Sequence, residues 1–206
     1  RTAGSNSDFY YSDDAVEWTK GQGNTLSGLV TTATNGTTIV GLGSDARVST
    51  DGINWASVVS SDIDPGLISA SSNLIQASYG NGLYVISASS ASHSGGRAIP
   101  SGPYWISENG TDWTEGSENL GSIVFGNGVF IGIRQGSLVS STDTEDWSAV
   151  RPEEQGFFRL AYDGTTFLAT SGGDRAYTSS NGSTWVHANE GNSSVGFGGP
   201  LVGGDG

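Results

Sequence analysis

The residues best suited to chemistry lie in the irregular stretches of this 206-residue chain. The run SASSASHSGGRAIPSGPYW holds His93, one of two histidines, together with Arg97, Tyr104 and Trp105. An aromatic ring beside a few fixed polar groups is a common pocket recipe, and here it suits the face of a sugar. Four further stretches carry charge: TEGSENL (Glu115, Glu118, Asn119), RPEEQGFF (Arg151, Glu153, Glu154), SGGDR (Asp174, Arg175) and VHANEGN (His187, Asn189, Glu190). Two carboxyls about 5–5.5 Å or 6.5–9.5 Å apart across a glycosidic bond hydrolyse it. Glu153, Glu154 and Glu190 are the candidates for that work. His93 and His187 with Asp62 or Asp64 offer metal-ligating atoms, but no ligand spacing repeats. No Gly-rich phosphate loop and no G-x-S-x-G elbow occurs, so the reading assigns no catalytic residue and no cofactor.

Bulk properties narrow the partners. A net charge of −13, with one lysine (Lys20), argues against nucleic acid, whose phosphates need a basic stripe. No apolar run approaches the ~20 residues of a membrane span, so no membrane insertion is expected. Cysteine is absent, which removes disulfides and thiolate metal sites. The sequons at Asn35, Asn109, Asn181 and Asn192 fit a secreted, extracellular protein, although three are N-G-T or N-G-S and turn chemistry also explains them.

The elements that must position these residues follow from a repeat. The pattern S-x-[DN]-x-x-x-W occurs five times: Ser12, Asp14, Trp18; Ser49, Asp51, Trp55; Ser107, Asn109, Trp113; Ser141, Asp143, Trp147; and Ser179, Asn181, Trp185. Steps of 37, 58, 34 and 38 residues separate the tryptophans, the signature of a repeat architecture. SIVFGNGVFIGIRQGSLVSSTDTEDWSAV is the cleanest unit, and it reads as four short strands joined by turns. LIQASYGNGLYVISA, RLAYDGTTFLATS and GLVTTATNGTTIVGLG repeat its first half, with NG and DG pairs supplying the positive φ of tight hairpins.

Four antiparallel strands per repeat make a propeller blade. The expected fold is therefore an all-β, five-bladed β-propeller spanning 1–206 as one domain, with blades at 22–57, 66–114, 116–149, 155–188, and 192–206 joined to 8–20. The last blade takes strands from both termini, which pairs edges that would otherwise be free.

In this frame each box sits at the hairpin between third and fourth strands. Its Ser and Asp/Asn lock the turn, and its Trp packs between blades. The boxes resemble the Asp-box (BNR-type) repeat of sialidases and other β-propellers, usually written S-x-D-x-G-x-x-W. Here the spacing is one residue shorter, and Gly directly follows Asp51, Asn109 and Asn181 only. The resemblance implies a structural role for these fifteen residues, away from any active centre. The arginine cluster of sialidases has no residue-by-residue match. The architecture is similar to that of small five-bladed lectins, which implies glycan binding.

Two sets of turns share one face, those between strands one and two and those between strands three and four. The opposite face carries loops that differ from blade to blade, where binding usually resides. The blade-two excursion lies there, and Trp105 shares a register with Tyr10, Arg47, Val139 and Tyr177, an outward position in this reading. The expected ligand site is Trp105, Tyr104, Arg97, His93, Glu153, Glu190 and His187, binding a glycan or polysaccharide. The alternatives are a glycoside hydrolase or polysaccharide lyase using the loop carboxylates, and an adhesion or scaffold module of a larger protein.

Overall fold

The computed structural model describes residues 10–12, 14–20, 30–42, 45–58, 63, 73–94, 97–150, 156–172 and 175–188. Within them every regular element is a strand. β1 (Tyr10–Tyr11) and β2 (Thr19–Lys20) form a two-stranded sheet. Sheet one runs in order β3 (Thr31–Thr34), β4 (Ile39–Leu42), β5 (Ala46–Ser49) and β6 (Ala56–Ser57). Sheet two holds β7 (Asn73–Gly80), β8 (Leu83–Ser94), β10 (Tyr104–Ser107) and β11 (Thr114–Glu115), with β9 (Arg97–Ser101) paired to the far part of β8. Sheet three is β12 (Ile123–Gly126), β13 (Val129–Arg134), β14 (Ser137–Ser141) and β15 (Ser148–Ala149). Sheet four is β16 (Phe157–Tyr162), β17 (Phe167–Ser171), β18 (Arg175–Ser179) and β19 (Val186–His187). All pairings are antiparallel and follow chain order, as tight hairpins dictate.

One expectation needs correction. The Gly/Ser-rich excursion of blade two is not a loop but a hairpin, in which Ser90 to Ser94 of β8 pair with Arg97 to Ser101 of β9. Small residues alternating over A-S-S-A-S-H-S show no apolar contrast, so the period of two is invisible in sequence.

The first strand of each sheet packs on the first strand of the next: β3 on β7, β7 on β12, β12 on β16. The sheets therefore radiate from a common axis. Three apolar layers fill the wedges between them. Val40 and Leu42 of sheet one meet Ile86, Trp105 and Trp113 of sheet two. Val85 and Tyr104 meet Phe130, Val139 and Trp147. Ile131, Ile133 and Leu138 meet Phe157, Phe167 and Trp185. Full burial of such a side chain stabilises by about 1.5–3 kcal/mol.

The layers close tightly near the axis. A Cβ on Gly80 would lie 2.1 Å from the Phe125 ring, and one on Gly126 would lie 2.6 Å from that of Tyr162. Each of those rings also pairs across its own hairpin. Phe125 stacks on Phe130 at 4.8 Å and Tyr162 on Phe167 at 4.6 Å, as Tyr79 does on Tyr84 at 4.6 Å.

All five boxes adopt one turn. In the third sheet Ser141 Oγ donates to Asp143 Oδ1 at 2.8 Å, and Asp143 Oδ1 accepts the backbone N–H groups of Glu145 and Asp146. The Trp147 indole N–H donates to the Thr144 carbonyl at 3.1 Å. The same bonds join Asp14 to Val16 and Glu17, Asp51 to Ile53 and Asn54, Asn109 to Thr111 and Asp112, and Asn181 to Ser183 and Thr184. The residue after the Asp or Asn takes positive φ in every copy: 59° at Ala15, 70° at Gly52, 82° at Gly110, 69° at Thr144 and 74° at Gly182. That is why glycine follows three of the five. Trp113, Trp147 and Trp185 are buried against the preceding sheet as expected, and Trp55 is half-buried. Trp18 departs from the expectation at 60% exposed.

Candidate functional site

Among the described residues no strand pairs with the inner edges of β3, β7, β12 and β16, which face the axis. Here the turn-proximal ends of β3, β7, β12 and β16 enclose a cavity of about 210 Å³. Thr32, Thr34, Gln76 and Ser78 supply hydroxyls and an amide, while Tyr79, Phe125 and Tyr162 form its aromatic rim. Among the described residues that line it there is no Asp, Glu, His, Lys or Arg, and the wall is mainly polar. The rim rings are half-buried and come from three consecutive sheets at one register, immediately before the first hairpin turn.

Hydrogen bonds fix this mouth. Tyr162 donates to Asn127 Oδ1 at 2.9 Å or to the Gly164 carbonyl at 2.8 Å. Asn81 and Asn127, at φ 49° and 47°, each reach from one sheet to the next. Asn81 Nδ2 donates to the carbonyls of Gly128 and Thr142, and Asn127 Nδ2 to those of Thr165 and Ser180. The first-hairpin turns and the box turns therefore share one face. Deeper in, Ser78 Oγ donates to the Ile123 carbonyl at 3.2 Å, and Gln76 spans the axis between Ser122 Oγ and the Leu160 carbonyl.

The residues singled out from sequence lie elsewhere. Trp105 is 1% exposed inside the layer between sheets one and two, so it offers no ring to a ligand. Val139 and Tyr177 in the same register are buried too, so that register points into a wedge, which corrects the outward reading. Tyr104 is also fully buried. Its hydroxyl donates to the Thr144 carbonyl at 2.7 Å and accepts from Trp147 Nε1 at 3.1 Å, tying sheet two to the box of sheet three. Burial pushes its phenol pKa up. His93 and Arg97 are strand residues near the tip of the β8–β9 hairpin.

His187, on the outer strand β19, packs its ring edge-on to Tyr177 at 4.9 Å, with Nδ1 buried and lacking a partner. Glu118 is engaged by Arg134 at 2.8 Å, Glu115 is exposed on β11, and Arg175 is exposed on β18. Asp62, Asp64, Arg151, Glu153, Glu154, Asp174, Asn189 and Glu190 lie outside the described residues. Of the expected ligand set, none is among the described residues that line the axial cavity. Among the described residues no group of three or more His, Asp or Glu could hold a metal ion.

The box carboxylates are locked rather than reactive. Backbone N–H groups of Asp146 and Glu145 hold Asp143 below the usual carboxylate range, those of Glu17 and Val16 do so for Asp14, and the Asn54 side chain and backbone do so for Asp51. Asp163, at the first turn of sheet four, is lowered likewise by Thr165 and Thr166.

The axial rim was missed in sequence, though its signal was present. SYGNGLY, VFGNGVF and AYDGTTF place one aromatic just before each turn and another just after it.

Radiating antiparallel sheets around an axial cavity define a β-propeller. No protein-family model and no curated protein matches the chain. Among solved structures it is similar to YCF48 from Cyanidioschyzon merolae, with a TM-score of 0.56 at 20% identity over 89% of this chain and 66% of that one. It is also similar to the GH74 enzyme of Niastella koreensis, with a TM-score of 0.57 at 19% identity over 88% of this chain and 28% of that one. The chain spans less than two thirds of either, and at these identities the likeness shows the fold alone.

Proposed function

We propose that this propeller binds a neutral carbohydrate, lectin-like, at the axial mouth on the face of the hairpin turns. The observation behind this reading is the lining itself: hydroxyls and an amide beneath a rim of Tyr79, Phe125 and Tyr162, with no Asp, Glu, His, Lys or Arg among the described lining residues. Hydroxyl-rich ligands need fixed donors and acceptors together with aromatic faces, and this wall has both. The described lining residues include no carboxylate, which favours binding over hydrolysis, since hydrolysis needs a carboxyl pair. Glycoside hydrolysis would fall to Glu153, Glu154 or Glu190, outside the described residues. Likeness to a GH74 enzyme makes that the competing outcome.

The reading includes a ring of five blades, with residues 192–206 completing the sheet begun by β1 and β2 and supplying the fifth wall of the axis. Two buried polar groups of sheet four support this. Arg159 Nε and Thr170 Oγ1, on cross-strand neighbours, are buried without partners, and buried polar groups need them. An extracellular setting belongs to the same reading, with Asn35, Asn109 and Asn181 in exposed turns.

An array of immobilised neutral and acidic glycans, followed by product analysis, is the test. Binding of neutral glycans without turnover is expected. Released sugar would move the function to the carboxylates, and silence across the array would leave an adhesion or scaffold module.

A further inference from the structure

We infer that the axial site is blind and captures the end of a glycan chain, not an internal stretch of it; this rests on the carbohydrate reading above. Sheets two and four are not neighbours around the axis, since sheet three stands between them. They nevertheless touch twice. Gln76 Nε2 of β7 donates to the Leu160 carbonyl of β16, and β9 packs on β16 and on β13. Both contacts cross the axis.

Depth along the strands places these bridges. The cavity is lined by the last residues of each inner strand, up to the first turn, and Gln76 is its deepest member on β7. From Gln76 to Tyr79 the strand rises about 10 Å, at ~3.3 Å per residue. β9 lies further on. It pairs with Ser90 to Ser94, beyond the part of β8 that pairs with β10, at the end of the sheet opposite the Gly80–Leu83 turn. Gln76 is therefore a floor, and the β8–β9 hairpin is a cover over the opposite mouth.

A closed floor sets the class of ligand. A chain passing through the axis would need two openings, and a chain lying across the rim would reach neither the Thr32 hydroxyl nor the remaining hydrogen-bonding capacity of Ser78 and Gln76. About 210 Å³ is room for about seven waters, enough for one sugar ring to enter from the turn face and replace them. The ligand is thus a neutral terminal saccharide, read in depth by Gln76 and at the rim by the three aromatic side chains.

The experiment is calorimetric titration of the whole chain with the neutral sugar that scores on the array. The probes are the free monosaccharide, its oligosaccharides of increasing length, and the same oligosaccharides with the terminal ring blocked. Affinity should stay within about threefold along the ladder and fall at least about tenfold on blocking. Affinity that climbs with length and ignores blocking overturns end capture while leaving carbohydrate binding intact. Absence of binding by every probe removes the carbohydrate reading and this inference with it. Thr32→Phe, which fills the cavity from an exposed position on β3, should abolish binding without lowering the unfolding midpoint. Retained binding in that variant would place the ligand elsewhere.

Discussion

The boxes at Ser141–Trp147 and Ser12–Trp18 are the same object in two settings. Both carry the serine-to-carboxylate bond, both tie the carboxylate to two backbone N–H groups, and both return the indole N–H to a carbonyl three residues back. Yet Trp147 is 8% exposed and Trp18 is 60% exposed. Turn chemistry is therefore self-sufficient, and burial of the indole is a separate, tertiary event. The boxes hold the frame, while the axial cavity lies where the inner strands converge.

Substitutions sharpen the contrast, beginning with the largest effect. Trp147→Ala should cost about 3–5 kcal/mol in chemical denaturation through the cavity it leaves, whereas Trp18→Ala should cost less than about 1 kcal/mol. Equal losses would break the distinction. Gly80→Ala should cost about 1–3 kcal/mol, since its methyl must displace the Phe125 ring at the axis. Tyr104→Phe should cost about 0.5–1.5 kcal/mol, the loss of the buried hydroxyl's bonds to the Thr144 carbonyl and the Trp147 indole N–H, which keep each other as partners, read from the same denaturation curves.

The boxes also differ in titration. Asp14, Asp51 and Asp143 have folded pKa values below the ordinary aspartate value of 3.8, so the unfolded chain takes up protons first as pH falls. Their contribution is full above that value and is lost as pH drops through the folded values. The Asn109 and Asn181 boxes have no carboxylate at that position to titrate. Asp143→Asn should keep the turn and flatten the acid limb of a urea midpoint measured from neutral pH down to pH 2. An unchanged limb would mean that this carboxylate is no better stabilised in the folded chain. The smallest expected effect is at Thr144, a β-branched residue at φ 69°. Thr144→Gly should be neutral or stabilising by up to about 1 kcal/mol, because the strain it relieves offsets the lost side chain.

Much of the frame was legible because its signals are local. NG and DG pairs mark hairpins, and the spacing of Ser, Asp/Asn and Trp marks one turn regardless of what surrounds it. Two kinds of information were not legible. The side on which Trp105 stands depends on strand parity against a neighbouring sheet, and a one-residue difference reverses it. In the stretch from Ser87 to Ser94 small residues occupy both faces, so nothing in the pattern separates a strand from a loop. The axial site is harder still, being made by four inner strands far apart in sequence. Only the repeated aromatic before each first turn hints at it. Glu153 and Glu190 remain expectations of the sequence.

The central claim, that ligand enters the axis from the turn face, is tested most directly by titrating isotopically labelled protein with an array-positive sugar and following the backbone amides. The account predicts shifts centred on Thr32, Thr34, Gln76, Ser78, Phe125 and Tyr162. Shifts centred on His93, Arg97 and the loops of the opposite face, with the axial amides unmoved, would contradict it.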